Sequence, residues 1–317
     1  MGTNIDITKL HYSDPRFKLY NNLQSDVARF ATYREARRQK DLAAAPDAAT
    51  RLKIEKRYAE WLKTEKQGAF ANAAAAAKWT KFAENADLYP NLQYRTARDK
   101  DVRPEHARLE GLILPINDPF WSTHYPPLGF GCRCYVTQTD KAVVRSENYL
   151  ETKAETGFDF NPGIEQKIFS NSAGYYKGWS HEEMKFLDEK SKSTAALIVK
   201  GNVIQFMRNL PNKFKLGSES IQISNRDVKD ITREEHMEKA FKNALLFDIQ
   251  NVLNDAILKD EAPEGKRDKD GNLVVRPKYK HWWYYQVKGY DNMFLNIVMM
   301  KEGYKKLHSI TDGILKK

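Results

Sequence analysis

The chain has 317 residues, a formal net charge of +10 and a mean hydropathy of −0.70. This length predicts two globular domains with separate cores. The sequence has no apolar run of about 20 residues and no signal-peptide pattern at its N-terminus, which excludes a classical membrane-spanning helix and a secreted protein. We therefore expect a cytosolic protein without a membrane partner.

The excess of 52 basic over 42 acidic residues is modest for a chain of this length. It permits a nucleic-acid or acidic protein partner, and it is explained equally well by a lysine-rich surface that keeps the chain in solution. The two cysteines, Cys132 and Cys134, are separated by one residue. This spacing excludes a disulfide framework and predicts reduced thiols.

Residues 14–85 predict an elongated helical lead-in, because apolar side chains such as Phe17, Tyr20 and Leu23 recur at spacings of three and four. Residues 89–134 are rich in proline and glycine, which predicts loops, and Tyr135–Thr139 predicts a short strand. Residues 151–179 lack periodicity and predict an interdomain connection.

The last third predicts a helix-plus-antiparallel-sheet domain. Its predicted helices are Ser180–Lys192 and Arg233–Leu258, its predicted strands are Ala195–Phe206, Ser220–Ser224, His281–Val287, Met293–Met299 and Tyr304–Ile310, and Lys259–Asp270 is predicted as an exposed charged loop. The predicted fold class is α+β. The predicted domains are residues 1–150 and 180–317, joined by residues 151–179.

A signature occupies residues 94–134. Its elements are Tyr94-Arg95-Thr96, Asp101-Val102-Arg103-Pro104-Glu105-His106, Leu109-Glu110-Gly111, Asp118-Pro119-Phe120-Trp121 and Tyr125-Pro126-Pro127-Leu128-Gly129-Phe130-Gly131-Cys132-Arg133-Cys134. In order and content they resemble the Mu F-type phage head morphogenesis domain, which often has tryptophan in place of Phe130.

The resemblance implies a minor head protein, present in few copies near the portal, that acts in head assembly or DNA packaging. It implies portal and capsid proteins as partners. It also implies residence in the bacterial host cytoplasm during assembly and then in the virion head.

Four side chains of this segment have the chemistry of a zinc site: His106, His124, Cys132 and Cys134. Two imidazoles and two thiolates suit tetrahedral Zn²⁺. The Cys-x-Cys spacing is unusual, since zinc knuckles normally use Cys-x-x-Cys. The alternative hypothesis is that the thiols are small buried hydrophobes and that His106 hydrogen-bonds a turn. No other cofactor is expected.

Three arginines of the signature, Arg95, Arg103 and Arg133, have two interpretations. They tie loops together through nearby carboxylates, or they bind phosphate. The first interpretation is favoured because proline-rich loops lack regular backbone pairing. The arginines of the helical lead-in likewise indicate either a solvated helix face or a nucleic-acid surface.

Residues 180–317 resemble a phage-borne RNase-like domain, related in fold to barnase, EndoU, colicin E5 and RelE. The resemblance rests on His281-Trp282-Trp283-Tyr284-Tyr285, Lys288-Gly289-Tyr290 and Ser309-Ile310-Thr311, with a helix that begins near His236. It implies metal-free RNA cleavage, which requires proton transfer and a cation at the phosphate.

In that hypothesis His236 or His281 moves the protons, and Lys288 or Lys280 supplies the cation. Ser309 or Thr311 holds the phosphate, and the adjacent aromatic residues stack on bases. The chain would then be a bifunctional virion protein with a toxin domain, DNA or RNA as a partner, and an immunity protein. The alternative is that these residues form core, sheet edge and solvated surface, and that the domain only binds.

Overall fold

A computed structural model of the chain describes residues 6–234, 236–262, 266–267, 272–274 and 278–313. The chain divides into two compact units. Unit 1 contains Asn22–Ser191, and unit 2 contains Asp6–Asn21 and Lys192–Lys317. The predicted α+β class is confirmed. Among the helices of the described residues, none has an apolar stretch long enough to span a lipid bilayer.

Unit 1 combines long helices with a small sheet and short helical turns. In chain order its elements are α1 (Pro15–Ala43, which begins in unit 2), α2 (Ala48–Glu84), β1 (Asn91–Arg95), α3 (Pro104–Ala107), β2 (Ile113–Pro115), α4 (Trp121–His124), β3 (Tyr135–Thr139), α5 (Pro162–Glu165) and α6 (His181–Met207, which ends in unit 2). The predicted helical lead-in is confirmed, with a break between α1 and α2. The Asp47 carboxylate starts α2 by accepting a 2.7 Å hydrogen bond from the Thr50 amide.

The sheet of unit 1 is antiparallel in the order β2-β1-β3, and β3 coincides with the predicted strand. Inward and outward side chains alternate along β1, so that Leu92 and Tyr94 are both buried. Much of the signature lies in the core beside them. The buried core residues are Phe82, Leu92, Tyr94, Leu109, Leu112, Leu114, Phe120, Trp121, Tyr125, Leu128 and Val136.

Residues 151–179, predicted as a connection, lie in unit 1. Phe158, Phe160 and Ile168 are buried there, and the ring of Phe169 stacks on Phe30 at a centroid distance of 3.6 Å. Frequent glycine and proline obscured these apolar residues in the sequence. The predicted limits of independently folding domains at 150 and 180 stay predictions.

Unit 2 contains a six-stranded sheet and three short helices. Its further elements are β4 (Lys213–Leu216), β5 (Glu219–Gln222), α7 (Asn225–Arg233), α8 (Lys239–Ala244), α9 (Ile249–Asp255), β6 (Ile257–Ala262), β7 (Lys266–Arg267), β8 (Leu273–Val274), β9 (Tyr279–Gln286), β10 (Phe294–Met300) and β11 (Lys305–Thr311). The large sheet has the order β4-β5-β11-β10-β9-β6, and its neighbouring strands are antiparallel except for β5 and β11. The three predicted C-terminal strands are therefore confirmed.

The strand predicted at Ala195–Phe206 is wrong, because this segment is the second half of α6. Its many β-branched residues favoured a strand. The buried residues Ala195, Val199, Val203 and Met207 nevertheless recur every four positions, which is the spacing of one helix face. Burial of that face outweighs the local strand propensity.

The single helix predicted at Arg233–Leu258 is also wrong. The segment forms α8, a 3₁₀ turn at Leu245–Asp248, α9 and the start of β6. The Asp248 carboxylate accepts hydrogen bonds from the Tyr12 amide at 2.7 Å and from the Asn251 side chain at 2.8 Å. These contacts stabilise the turn. The sequence did not indicate a turn here, because the segment contains no glycine or proline.

Candidate functional site

Three of the four predicted zinc ligands come together in unit 1. The sulfur atoms of Cys132 and Cys134 each lie 3.8 Å from Nδ1 of His106. All three ligand atoms lie within 4.8 Å of one another. We call these residues the His-Cys-Cys cluster. Its side chains can bind a soft or borderline metal ion.

Local structure explains how these side chains meet. Helix α3 starts at Pro104, which suits a first helical position, and it places His106 in the interior. Gly131 adopts a positive φ of 69° and turns the chain into Cys132. Cys134 directly precedes β3, which pairs with β1. The signature therefore brings two loops together at one point.

The two thiols influence each other's ionisation. Interaction with the Cys134 thiol lowers the pKa of Cys132, and the same interaction raises the pKa of Cys134, so that one thiol ionises more readily than the other. The His106 ring further lowers the pKa of Cys132, as do the backbone amides of Leu128 and Cys134. A thiolate at this position is a nucleophile or a metal ligand.

The fourth predicted ligand, His124, lies outside the cluster. Its Nε2 is 2.6 Å from the carbonyl oxygen of Thr152, and its ring stacks on Phe120 at a centroid distance of 4.4 Å. Its Nδ1 is 2.8 Å from the Thr123 hydroxyl. Both ring nitrogens therefore have partners that hold His124 in a structural contact.

The signature arginines bind carboxylates, which confirms their predicted structural role. Arg95 and Arg98 contact Glu110 at 3.2 and 2.7 Å. Burial would raise the pKa of Glu110, but hydrogen bonds from Arg98, Thr96 and Arg95 outweigh burial and lower the pKa to about 2. Glu110 thus stays ionised and joins the end of β1 to the turn before β2.

Two further arginines fasten the loops around the His-Cys-Cys cluster. Arg133 donates two hydrogen bonds to the Asp99 carboxylate, at 2.5 and 2.7 Å. Arg103 contacts Glu155 at 3.0 Å and donates to the Phe130 carbonyl at 2.9 Å. The partners Asp99 and Glu155 were not identified from the sequence, because they become neighbours only in the folded chain.

In unit 2 the candidate catalytic residues fall into two groups. The first group consists of His236, Ser309 and Thr311 and lies where β11 ends. The His236 side chain is 1% exposed, and its Nε2 is 3.1 Å from the Asp312 carboxylate. Burial lowers the pKa of His236 despite this carboxylate. His236 is therefore a buried imidazole with little access to a substrate.

Ser309 and Thr311 belong to the first group. The Asn296 side-chain amide donates to the Ser309 hydroxyl at 2.7 Å and to the Thr311 hydroxyl at 3.1 Å. Ser309 is buried, and Asn296 lies opposite it in the β10–β11 register. These hydroxyls bind a neighbouring strand, whereas the sequence predicted a phosphate contact.

The second group surrounds His281 at the other end of the sheet. Its Nε2 is 3.0 Å from the Glu261 carboxylate, and its ring stacks on Trp283 at 4.0 Å. The Lys305 ammonium lies 3.7 Å from the centroid of the same Trp283 ring. We call His281, Glu261, Trp283 and Lys305 the His281 group. Sequence reasoning missed Glu261 and Lys305, because strand register alone brings them here.

The two groups are separate. His281 pairs with Met299 and Ser309 pairs with Asn296, so three residue steps along β10 separate them, or about 10 Å. Lys288 is exposed beyond the opposite end of β9, and Lys280 is exposed beside His281. Trp282 and Tyr284 are buried, so they are not the exposed stacking rings that the sequence allowed.

Comparisons with known proteins match part of the chain. Residues 25–137 match the family model described as phage Mu protein F like protein. A 73-residue segment is 47% identical to "Putative capsid assembly protein F" of Escherichia phage Mu, and it covers 23% of this chain and 17% of that protein. A 71-residue segment is 38% identical to the Mu-like prophage FluMu F protein of Haemophilus influenzae, covering 22% and 17% of the two chains.

A 45-residue segment is 49% identical to an uncharacterized protein of Methanocaldococcus jannaschii, covering 14% of this chain and 7% of that protein. No solved structure matches the chain. The matched segment thus spans about a sixth of the length of the two phage relatives. Residues 25–137, which include the signature residues in the core of unit 1, are therefore similar to the Mu F family.

Proposed function

We propose that the chain is a minor head protein that acts in the assembly of a phage or prophage head. The observation that carries this proposal is the match of residues 25–137 to the Mu F family model, together with 47% identity to the phage Mu relative named for capsid assembly. Phe120, Trp121 and Tyr125 of the signature are buried in the core of unit 1. The likeness therefore extends to residues that determine the fold.

The proposed partners are the portal and capsid proteins, and the proposed locations are the host cytoplasm during assembly and then the virion head. A role in DNA packaging is the finer proposal. It draws no support from the arginines of α1, since Arg29, Arg34 and Arg38 pair with Asp188, Glu65 and Glu55. Phosphate binding there would have to break these ion pairs.

The proposal is tested by interrupting the gene in the phage or prophage that encodes it. A stop codon at Gln24, ahead of the matched residues, is expected to abolish most infectious particles and to leave incomplete heads visible by electron microscopy. The intact chain supplied in trans is expected to restore infectivity. Normal heads and an unchanged yield of infectious particles would contradict the proposal.

A second candidate function concerns unit 2, which we propose to be a metal-independent endoribonuclease. The His281 group favours it, because an imidazole and a carboxylate lie together on a partly exposed part of the sheet, and the Lys305 ammonium, which pairs with Glu219, lies over the adjacent Trp283 ring. The side chains of His281 and Glu261 are 23% and 53% exposed. This candidate would make the chain bifunctional, with RNA as a substrate and an immunity protein as a partner.

The chemistry requires a base that removes the proton from the RNA 2′-hydroxyl, whose oxygen then attacks the adjacent phosphorus. The bond to the 5′-oxygen breaks, and an acid returns a proton to that oxygen. Glu261 and His281 would be the base and the acid. Lys305 would stabilise the added charge on the phosphate oxygens, once substrate phosphate displaces its ion-pair partner Glu219.

The test measures RNA cleavage by the purified full-length chain in EDTA. We expect His281→Gln to lower the cleavage rate by about 100-fold or more, because proton transfer contributes at least this much. His11→Gln is the matched control, since His11 also faces a carboxylate in unit 2, Asp255, at 3.6 Å. A folded wild-type chain without cleavage, or equal rates for both variants, would eliminate this candidate.

A further inference from the structure

The His-Cys-Cys cluster has the dimensions of a metal site. Tetrahedral zinc with bonds of about 2.3 Å to sulfur and about 2.0 Å to nitrogen separates sulfur from nitrogen by about 3.6 Å and two sulfurs by about 3.8 Å. The observed sulfur-to-nitrogen distances are both 3.8 Å. The two sulfur atoms lie within 4.8 Å of each other, so an ion fits after the two thiols move together by up to about 1 Å.

We propose that Nδ1 of His106 and the sulfur atoms of Cys132 and Cys134 bind one Zn²⁺ ion. Two thiolates and an imidazole select a borderline-soft ion over calcium or magnesium, which prefer oxygen ligands. This site extends beyond the proposed role in head assembly and does not depend on it.

The backbone around the cluster supports this proposal. The Cys132 amide donates to the Gly129 carbonyl at 3.2 Å, which closes a turn ahead of the first thiol. Between the two cysteines, Arg133 binds Asp99 instead of the cluster. Both thiols thus contact His106, while the guanidinium group of the intervening arginine is held by Asp99.

A buried polar group beside the cluster also supports the proposal. The Tyr94 side chain is fully buried, and its hydroxyl has no hydrogen-bond partner of normal geometry among the described residues. It lies near the Cys134 thiol. A metal-bound thiolate is a strong acceptor for this hydroxyl, and such outer contacts orient the ligands of metal sites. Tyr94 is therefore a positioning residue.

The fourth coordination position belongs to water in this proposal, because His124 is held elsewhere by Thr152. A cavity of about 20 Å³ is lined by the cluster, by Asp101 and Gly131, and by Arg103 and Arg133, whose guanidinium groups pair with Glu155 and Asp99. This volume is large enough for one ion or one water molecule. The zinc would join α3 to the end of the signature, where regular backbone pairing is sparse.

The experiment measures metal in the purified full-length chain by native mass spectrometry and elemental analysis. We expect one zinc per chain in the wild type and its loss in Cys132→Ser, Cys134→Ser and His106→Gln. His124→Gln is the matched control, because it removes an imidazole of the same unit from outside the cluster, and it is expected to keep its zinc.

A cobalt titration keeps the test decisive where a variant fails to fold. After removal of metal, the wild-type chain is expected to bind Co²⁺. Binding is seen as a near-ultraviolet absorption band from thiolate-to-cobalt charge transfer. We expect this affinity to fall by about 100-fold or more in each cysteine variant. A folded wild-type chain that takes up neither metal would overturn the proposal, as would equal zinc in the Cys132→Ser/Cys134→Ser variant.

Discussion

Replacing Trp121 by alanine is expected to lower the free energy of unfolding of unit 1 by about 4 kcal/mol. Trp121 is fully buried, and its indole nitrogen donates a 2.9 Å hydrogen bond to the Pro115 carbonyl. The substitution leaves a large cavity and removes the donor from that carbonyl. Hydrogen exchange of the β1 amides at increasing urea concentrations measures the change.

The matched control is Trp61→Ala in α2, because Trp61 is 43% exposed in the same unit. This variant is expected to lose about 1 kcal/mol or less, since surface substitutions leave little cavity. Equal losses in the two variants would contradict the assignment of Trp121 to the core. We also expect Trp121→Ala to fail in restoring infectivity at temperatures where unit 1 unfolds.

Replacing Lys242 by methionine is expected to lower the free energy of unfolding of unit 2 by about 2 kcal/mol. The Lys242 side chain is fully buried, and its ammonium donates to the carbonyls of Ile231 and Glu234 at 2.6 and 2.9 Å. These carbonyls lie at the end of α7, where intrahelical donors run out and a positive charge is favourable. Methionine fills a similar volume but donates nothing.

Hydrogen exchange of the α7 amides measures this loss, and Lys229→Met on the exposed side of α7 is the control. Removing the ammonium also relieves the cost of burying a charge, which is why the expected loss is smaller than that of two charged hydrogen bonds. An unchanged or increased stability of Lys242→Met would mean that desolvation outweighs these hydrogen bonds.

The sequence predicted correctly those elements in which the pattern of apolar side chains matches the burial in the fold. Strand β3 was predicted at Tyr135–Thr139 as observed, and β9 and β10 were predicted to within two residues. In each of these strands the pattern of apolar and turn residues agrees with the burial in the fold. Where propensity and spacing disagreed, as in the second half of α6, spacing decided the structure.

Contacts between distant segments could not be predicted in the same way. Lys259–Asp270 was predicted as a loop, but its first residues belong to the edge strand β6, whose charged side chains face outward. This strand places Glu261 against His281. Likewise, the sequence grouped His124 with His106 as candidate ligands. In the fold, the His124 ring nitrogens instead form hydrogen bonds with Thr123 and Thr152.

We propose above that this chain, which is similar to Mu F proteins over residues 25–137, is part of a phage head. The most direct test is quantitative mass spectrometry of heads purified from the phage or prophage that encodes it. We expect peptides from both units in the heads, in far fewer copies than the major capsid protein. Absence of the chain from mature heads and from assembly intermediates alike would contradict it.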